Sequence, residues 1–226
     1  MDSKPVRIRG YRAGDLDAVY RVCLQTAYHG QDGTAQFRDP ELPGHEYVGP
    51  YVTFAPSLAF VAEDEAGVGG YIVAALDSRA FEHRLQQGWW PKLRARYPEP
   101  SPDAAERLSE QERFALRYIH HPFGAPAAVT GRFPSHLHIN LVPRMQGRGT
   151  GRRLVATVTS RLREQASTGL HLIVGDSNQR AIGFYRRLRF TELPATGVHI
   201  FGMRLADGQT LLADAEACQW RHLPRR

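Results

Sequence analysis

The segment Gln146-Gly147-Arg148-Gly149-Thr150-Gly151 sets three glycines at alternate positions between a strand-like run, His136 to Val142, and the start of a helical pattern. A strand that turns directly into a helix leaves the first N–H groups of that helix unpaired, and the helix dipole gives them partial positive charge. Glycine carries no Cβ, so a phosphate can come against the backbone itself. The six residues therefore read as an anion cradle suited to a pyrophosphate. Two other phosphate loops do not fit. The dinucleotide fingerprint G-x-G-x-x-G, counted from Gly147, would need glycine where Arg152 stands, and no βαβ unit precedes it. A P-loop requires Gly-Lys-Ser/Thr, and the chain holds no Gly-Lys pair. A glycine turn without a ligand is the remaining alternative, and the arginines at Arg148 and Arg152 speak against it.

Other residues could move protons. Asp77, at the end of an apolar strand, and His138, inside the run before the cradle, are candidate bases. The pair His120-His121 has no carboxylate or cysteine at metal-ligand spacing and reads as a loop feature, so no metal is expected. Cys23 and Cys218 are the only cysteines and lie too far apart in the chain to suggest a disulfide framework; Cys23 sits among apolar helix residues as a small core filler. The net charge of +6 comes almost wholly from arginine and is not gathered into a block, which fits an anionic cofactor better than a nucleic acid. No run reaches the ~18 apolar residues of a membrane span and the N-terminus has no apolar signal core, so a cytoplasmic location is expected.

These residues need a frame. Val6 to Arg9 alternates as a strand, and Leu16, Val19, Tyr20 and Cys23 mark an amphipathic helix with Asp15 as N-cap. Residues 30 to 56, rich in Gly, Pro and Asp, read as a long loop over the acceptor side. Leu58 to Glu63 and Val68 to Leu76 form a hairpin around Asp64-Glu65-Ala66-Gly67. The stretch from Asp77 to Pro134 is too long for a bare connection and must carry structure of its own, with helices around Trp90 and after Ser109. After the glycine loop, Leu154, Val155, Val158 and Leu162 define a buried stripe that Gly169 would end. Leu170 to Val174 is a buried strand. Ser177 or Asn178 caps a last helix with face Ala181, Phe184, Tyr185 and Leu188, and one or two strands finish the domain. The expectation is one α/β (α+β) domain over 1–226, a mixed sheet flanked by helices, with an insertion at about 78–134 between the third and fourth strands and an unassigned tail at about 207–226.

The order strand, QGRGTG, helix, strand, Asn178, then Ala181, Phe184 and Tyr185 resembles the two central motifs of the GNAT acetyltransferase superfamily. In the insertion, Asp77-Ser78-Arg79-Ala80-Phe81, Trp89-Trp90-Pro91, Tyr97-Pro98, Leu108-Ser109-Glu110 and Phe133-Pro134-Ser135 resemble the acetyltransferase-like domain of O-GlcNAcase and its stand-alone bacterial relatives, a likeness running from about 58 to 205. This resemblance implies a GNAT fold and an acetyl-CoA-dependent N-acetyltransferase acting on an amine, small or protein-borne. It implies that Gln146, Gly147, Arg148, Gly149, Thr150 and Gly151 cradle the coenzyme A pyrophosphate. Main-chain groups of Leu141 and Val142 would pair with the pantetheine and polarise the carbonyl, and Asn178 would contact the same arm. Tyr185 would be the general acid beside the sulfur. At Asn140 the group often carries Asp; an amide cannot serve as a carboxylate base, which leaves Asn140 and Asp77 as the catalytic candidates on the acceptor side. A CoA-binding or interaction module without turnover is the alternative that Asn140 keeps open.

Overall fold

Alternating apolar residues in the first half of the chain build a meander of antiparallel strands, and the computed structural model describes residues 5–205 of it. Strand β1 (Arg7–Gly10) leads into α1 (Leu16–Leu24), which buries Val19, Val22 and Cys23. Helices α2 (Leu42–Tyr47) and α3 (Gly49–Phe54) follow, then β2 (Ala59–Asp64) and β3 (Gly67–Ala75), whose later residues are all buried. The insertion contributes α4 (Ser78–Gly88), α5 (Trp90–Arg96), α6 (Pro102–Ala105), α7 (Glu110–His120) and α8 (Ala127–Thr130). The second half runs β4 (Ser135–Leu141), α9 (Thr150–Glu164), β5 (Gly169–Gly175), α10 (Gln179–Arg187), β6 (Thr191–Leu193) and β7 (Val198–Arg204).

The seven strands form one sheet in the order β1-β2-β3-β4-β5-β7-β6. Every neighbouring pair is antiparallel except β4 and β5. That parallel pair is held only at Ser135↔Leu170 and His136↔His171, after which the strands part and leave a wedge in the middle of the sheet. Side chains alternate along β4, so His136, His138 and Asn140 share one face and Leu137, Ile139 and Leu141 the other. Helix α1 packs over β3 on the Asn140 face, while α9 packs over β2, β3 and β4 on the opposite one. Buried side chains of the sheet, the insertion and the surrounding helices form one continuous core, among them Tyr71, Trp90, Ile119 and Leu154.

Three local expectations are corrected. The expected loop at 30 to 56 is helical in its second half: Pro43 and Pro50 stand in the first turns of α2 and α3, where proline starts a helix, and Gly44 and Gly49 leave room for the Tyr20 and Trp89 rings. Gly169 does not end α9; the helix stops at Glu164, the chain reverses through Ala166 at φ +59°, and Gly169 opens β5 where the Arg132 carbonyl leaves no space for a Cβ. Asp15 precedes α1 but does not cap it, because its carboxylate is taken by Arg9 at 2.7 and 2.8 Å and by the Arg12 N–H. Cys23 is buried and free, as a core filler should be, whereas Cys218 and the tail at about 207–226 lie outside the described residues.

Candidate active site

The wedge between β4 and β5 opens directly onto the glycine loop. Gly147 and Gly149 adopt φ of +74° and +75°, which L side chains rarely tolerate, and an added Cβ at either would point into open space. Among the described residues, the N–H groups of Gly147, Gly149, Thr150 and Gly151 find no backbone acceptor, and the first intrahelical bond of α9 comes from Arg153 to Gly149. Such a row of converging N–H groups at a helix start is an anion nest. The Thr150 hydroxyl is buried there without a hydrogen-bond partner. Gly151 has a different task, since its Cβ would stand 3.1 Å from the Phe184 ring and 3.4 Å from Leu141; its smallness lets the α9 start, α10 and β4 close together.

The end of β4 supplies the polar wall. Val142 donates its N–H to the Gly69 carbonyl at 2.9 Å and accepts from Met145, so neither backbone group faces the wedge. The Val142 N–H, expected to face the pantetheine, is thus engaged in strand pairing, and Leu141 is the one of the two whose N–H turns toward the gap. Because N–H groups alternate along a strand, those of Leu141 and Ile139 point away from β3 and into the gap. Gln146 reaches back to the Leu141 carbonyl at 2.6 Å, tying loop to strand, while Arg148 stands exposed at the rim.

A cavity of about 150 Å³ passes through the wedge, lined by Asn140, Leu141, Gln146, Gly151, Asn178 and Tyr185 together with Thr26 and Gly30. Asn178 caps α10 by accepting the Ala181 N–H at 3.1 Å, and its side-chain amide abuts Gly30. Tyr185 packs against Phe184, Phe190 and Phe201, and its hydroxyl makes no hydrogen bond among the described residues. Burial raises its pKa above the ordinary phenol value, so it holds its proton at neutral pH. Across the cavity, Asn140 accepts from the Tyr71 hydroxyl at 3.0 Å and donates to Thr26. The Thr26 hydroxyl gives its own proton to the Val22 and Cys23 carbonyls, at 2.8 and 3.1 Å. It can therefore only accept from Asn140, which fixes the amide orientation and leaves one N–H of the amide uncommitted.

Asp77 is not brought to this cavity. Its carboxylate caps α4 through the Ala80 N–H at 2.8 Å, and it lies past the His136 end of the sheet, with His136 itself four strand steps, about 13 Å, from Asn140. His136 is likewise committed, between Ser78 at 2.7 Å and Tyr51 at 2.8 Å. Thr26 and Gly30 escaped the reading from sequence, because nothing in a helix end and a following turn marks them as neighbours of a strand more than a hundred residues on.

A sheet split beside an unpaired N–H nest is the signature of one family of transferases. The model of the acetyltransferase (GNAT) family matches residues 82–190. The crystal structure of SsHAT is 34% identical, with a TM-score of 0.81 covering 89% of this chain and 99% of that one. The chain belongs to the GNAT acetyltransferase family. Within it, the likeness extends to rat protein O-GlcNAcase, 27% identical over 191 residues, which are 84% of this chain and 20% of that protein. The chain thus spans about a fifth of the length of the curated relatives it matches. The same fold is seen in yncA, a putative acetyltransferase from Salmonella typhimurium with its cofactor acetyl-CoA, at 12% identity and a TM-score of 0.51 over 91% of this chain and 97% of that one.

Proposed function

We propose that the chain binds acetyl-CoA in the wedge and transfers its acetyl group to an amine by direct attack. The observation that carries this reading is the parting of β4 from β5 after two residue pairs, next to a loop in which the N–H groups of Gly147, Gly149, Thr150 and Gly151 find no backbone acceptor among the described residues. Gly147, Gly149, Thr150 and Gly151 would hold the pyrophosphate, with Asn178 and the Leu141 backbone along the pantetheine. The Leu141 or Ile139 N–H would polarise the thioester carbonyl, as would the remaining N–H of Asn140, which acts as a donor and not as a base. Tyr185, protonated and uncommitted, would give its proton to the departing sulfur. Asp77 enters as a helix cap and carries no chemical step. Among the described residues no helix is long and apolar enough to cross a membrane, and the cytoplasm, where acetyl-CoA is made and used, is the compartment we propose.

Replacing Gly149 by Val puts a branched side chain where φ is +75° and aims it into the nest. Acetyl-CoA affinity measured by calorimetry should fall at least tenfold, while circular dichroism stays that of a folded protein. Unchanged affinity in the folded variant removes the cofactor from this loop. Release of free thiol on addition of amines then separates a transferase from a module that binds without turnover.

A further inference from the structure

On the Asn140 face of β4, the next side chain along the strand is His138, about 7 Å away. His138 lies on an inner strand under helices, yet it keeps part of its surface exposed and makes no hydrogen bond among the described residues. The helices therefore leave a recess above it, one position along that face from Asn140. Two rings stand beside it, Tyr47 at 5.2 Å and Tyr51 at 5.3 Å from the imidazole, and Tyr118 of α7, braced on Trp90 at 5.6 Å, is a neighbour of both through Glu46. The Tyr118 hydroxyl makes no hydrogen bond among the described residues.

Glu46, next to Tyr47 on α2, is 4% exposed, and among the described side chains only the Tyr47 hydroxyl comes to its carboxyl. When ionised it acts on the phenols of Tyr47, Tyr51 and Tyr118, which are therefore its neighbours. Glu112, buried to a similar degree, has Arg38 at 3.2 Å; Glu46 has no cation. Burial lifts the Glu46 pKa to about 8, the mark of a carboxyl kept without a countercharge. Burial also pushes His138 down to about 4, so the imidazole is neutral and does not repel a cation. Tyrosine faces attract an ammonium group, and a carboxylate at the back completes a cation box.

The nitrogen that attacks a thioester must be neutral, so a box built for a cation serves a group that does not react. Resting on the reading that acetyl-CoA fills the wedge, we propose that the acceptor is a two-headed amine: one nitrogen reacts beside Asn140 while a second, cationic group sits in the Glu46, Tyr47, Tyr51 and Tyr118 box. The span from Asn140 past His138 to Tyr47 sets the separation at roughly 7 to 10 Å, that of a diamine with about five linking carbons.

The test compares 1,5-diaminopentane with 1-aminopentane, which has the same chain without the second charge. Calorimetry on the CoA-loaded protein should give at least tenfold tighter binding of the diamine, and thiol release with acetyl-CoA should show a KM lower by the same factor. In Glu46→Gln, of the same shape and folded by circular dichroism, the preference should collapse to within threefold, with CoA affinity unchanged. Tyr118→Phe should retain the preference, because the ring and carboxylate remain. If CoA itself does not bind, the reading of the wedge fails. If CoA binds but the two amines bind alike or not at all, or Glu46→Gln keeps the preference, the cation box is wrong and the wedge stands.

Discussion

Tyr185 and Asn140 line the same cavity, and the proton-donor role proposed for one and the hydrogen-bond-donor role proposed for the other each rest on what surrounds it. Tyr185 has aromatic neighbours on three sides and no hydrogen-bond partner among the described residues, so its proton is held and available. Asn140 is fixed by Tyr71 and Thr26 and has one donor to spare. Tyr185→Phe removes a hydroxyl and keeps the ring packing. Turnover should fall about a hundredfold, with acetyl-CoA affinity changed by less than threefold. Acetyl transfer over a pH series for both proteins checks this. Identical rates and profiles would make the ring structural and the thiolate an unaided leaving group. Tyr185 and the glycines were legible in the sequence because each sits in a local pattern that dictates its setting. Glu46 was not, since a glutamate between a histidine and a tyrosine looks like a solvated turn until α1 and α7 are laid over it.

At the scale of elements, the ends of helices and strands decide what can reach the wedge. The helical pattern after Gly149, the strands on either side of it and the cap at Asn178 follow from spacing alone, and the structure contains them nearly as read. The insertion also reads true where Ser109 caps α7 and Trp90 anchors α5 in the core. What misled was composition between residues 30 and 56: its glycines and prolines, usual in loops, here start and pack short helices. Asp77 shows the same trap at a single site, a carboxylate at a strand end that turns out to close a helix. Asp77→Ala should cost about 1 kcal/mol of stability, seen as a lower melting temperature, and leave kcat/KM and its pH profile in place. A shifted pH profile would return Asp77 to the chemistry.

Over the whole molecule, buried titratable groups tie stability to pH from two directions. His138 has a pKa near 4 when folded against an ordinary value of 6.5, so its contribution is full above pH 6.5 and is lost as pH falls toward 4; His136, pushed down by burial as well, adds to this acid limb. Glu46 runs the other way. Its pKa rises from 4.5 to about 8, so its contribution is full below pH 4.5 and is lost as pH climbs to 8. Between pH 6.5 and 8 only Glu46 is changing among these three groups, which amounts to about 2 kcal/mol or roughly 5 °C in melting temperature. Thermal melts of the wild type should decline over that interval, and those of Glu46→Gln should stay level. A parallel decline in both proteins would assign the alkaline limb to other groups.

The sequence by itself determined the local pattern: a strand that breaks into a helix through alternate glycines, a capping Asn178, a tyrosine about two turns further on. Such features depend on backbone conformation and on neighbours a few residues away, and those are written in order along the chain. Tertiary structure alone decided where β4 leaves β5, that Val142 spends its N–H on Gly69 while Leu141 keeps one for the gap, and that Thr26 holds Asn140. It alone buried the Glu46 carboxyl, with no countercharge among the described residues, in the neighbourhood of tyrosines from three helices. These depend on register and on the layering of distant segments, and a single residue of slip in β4 would have turned Asn140 and His138 to the other face of the sheet.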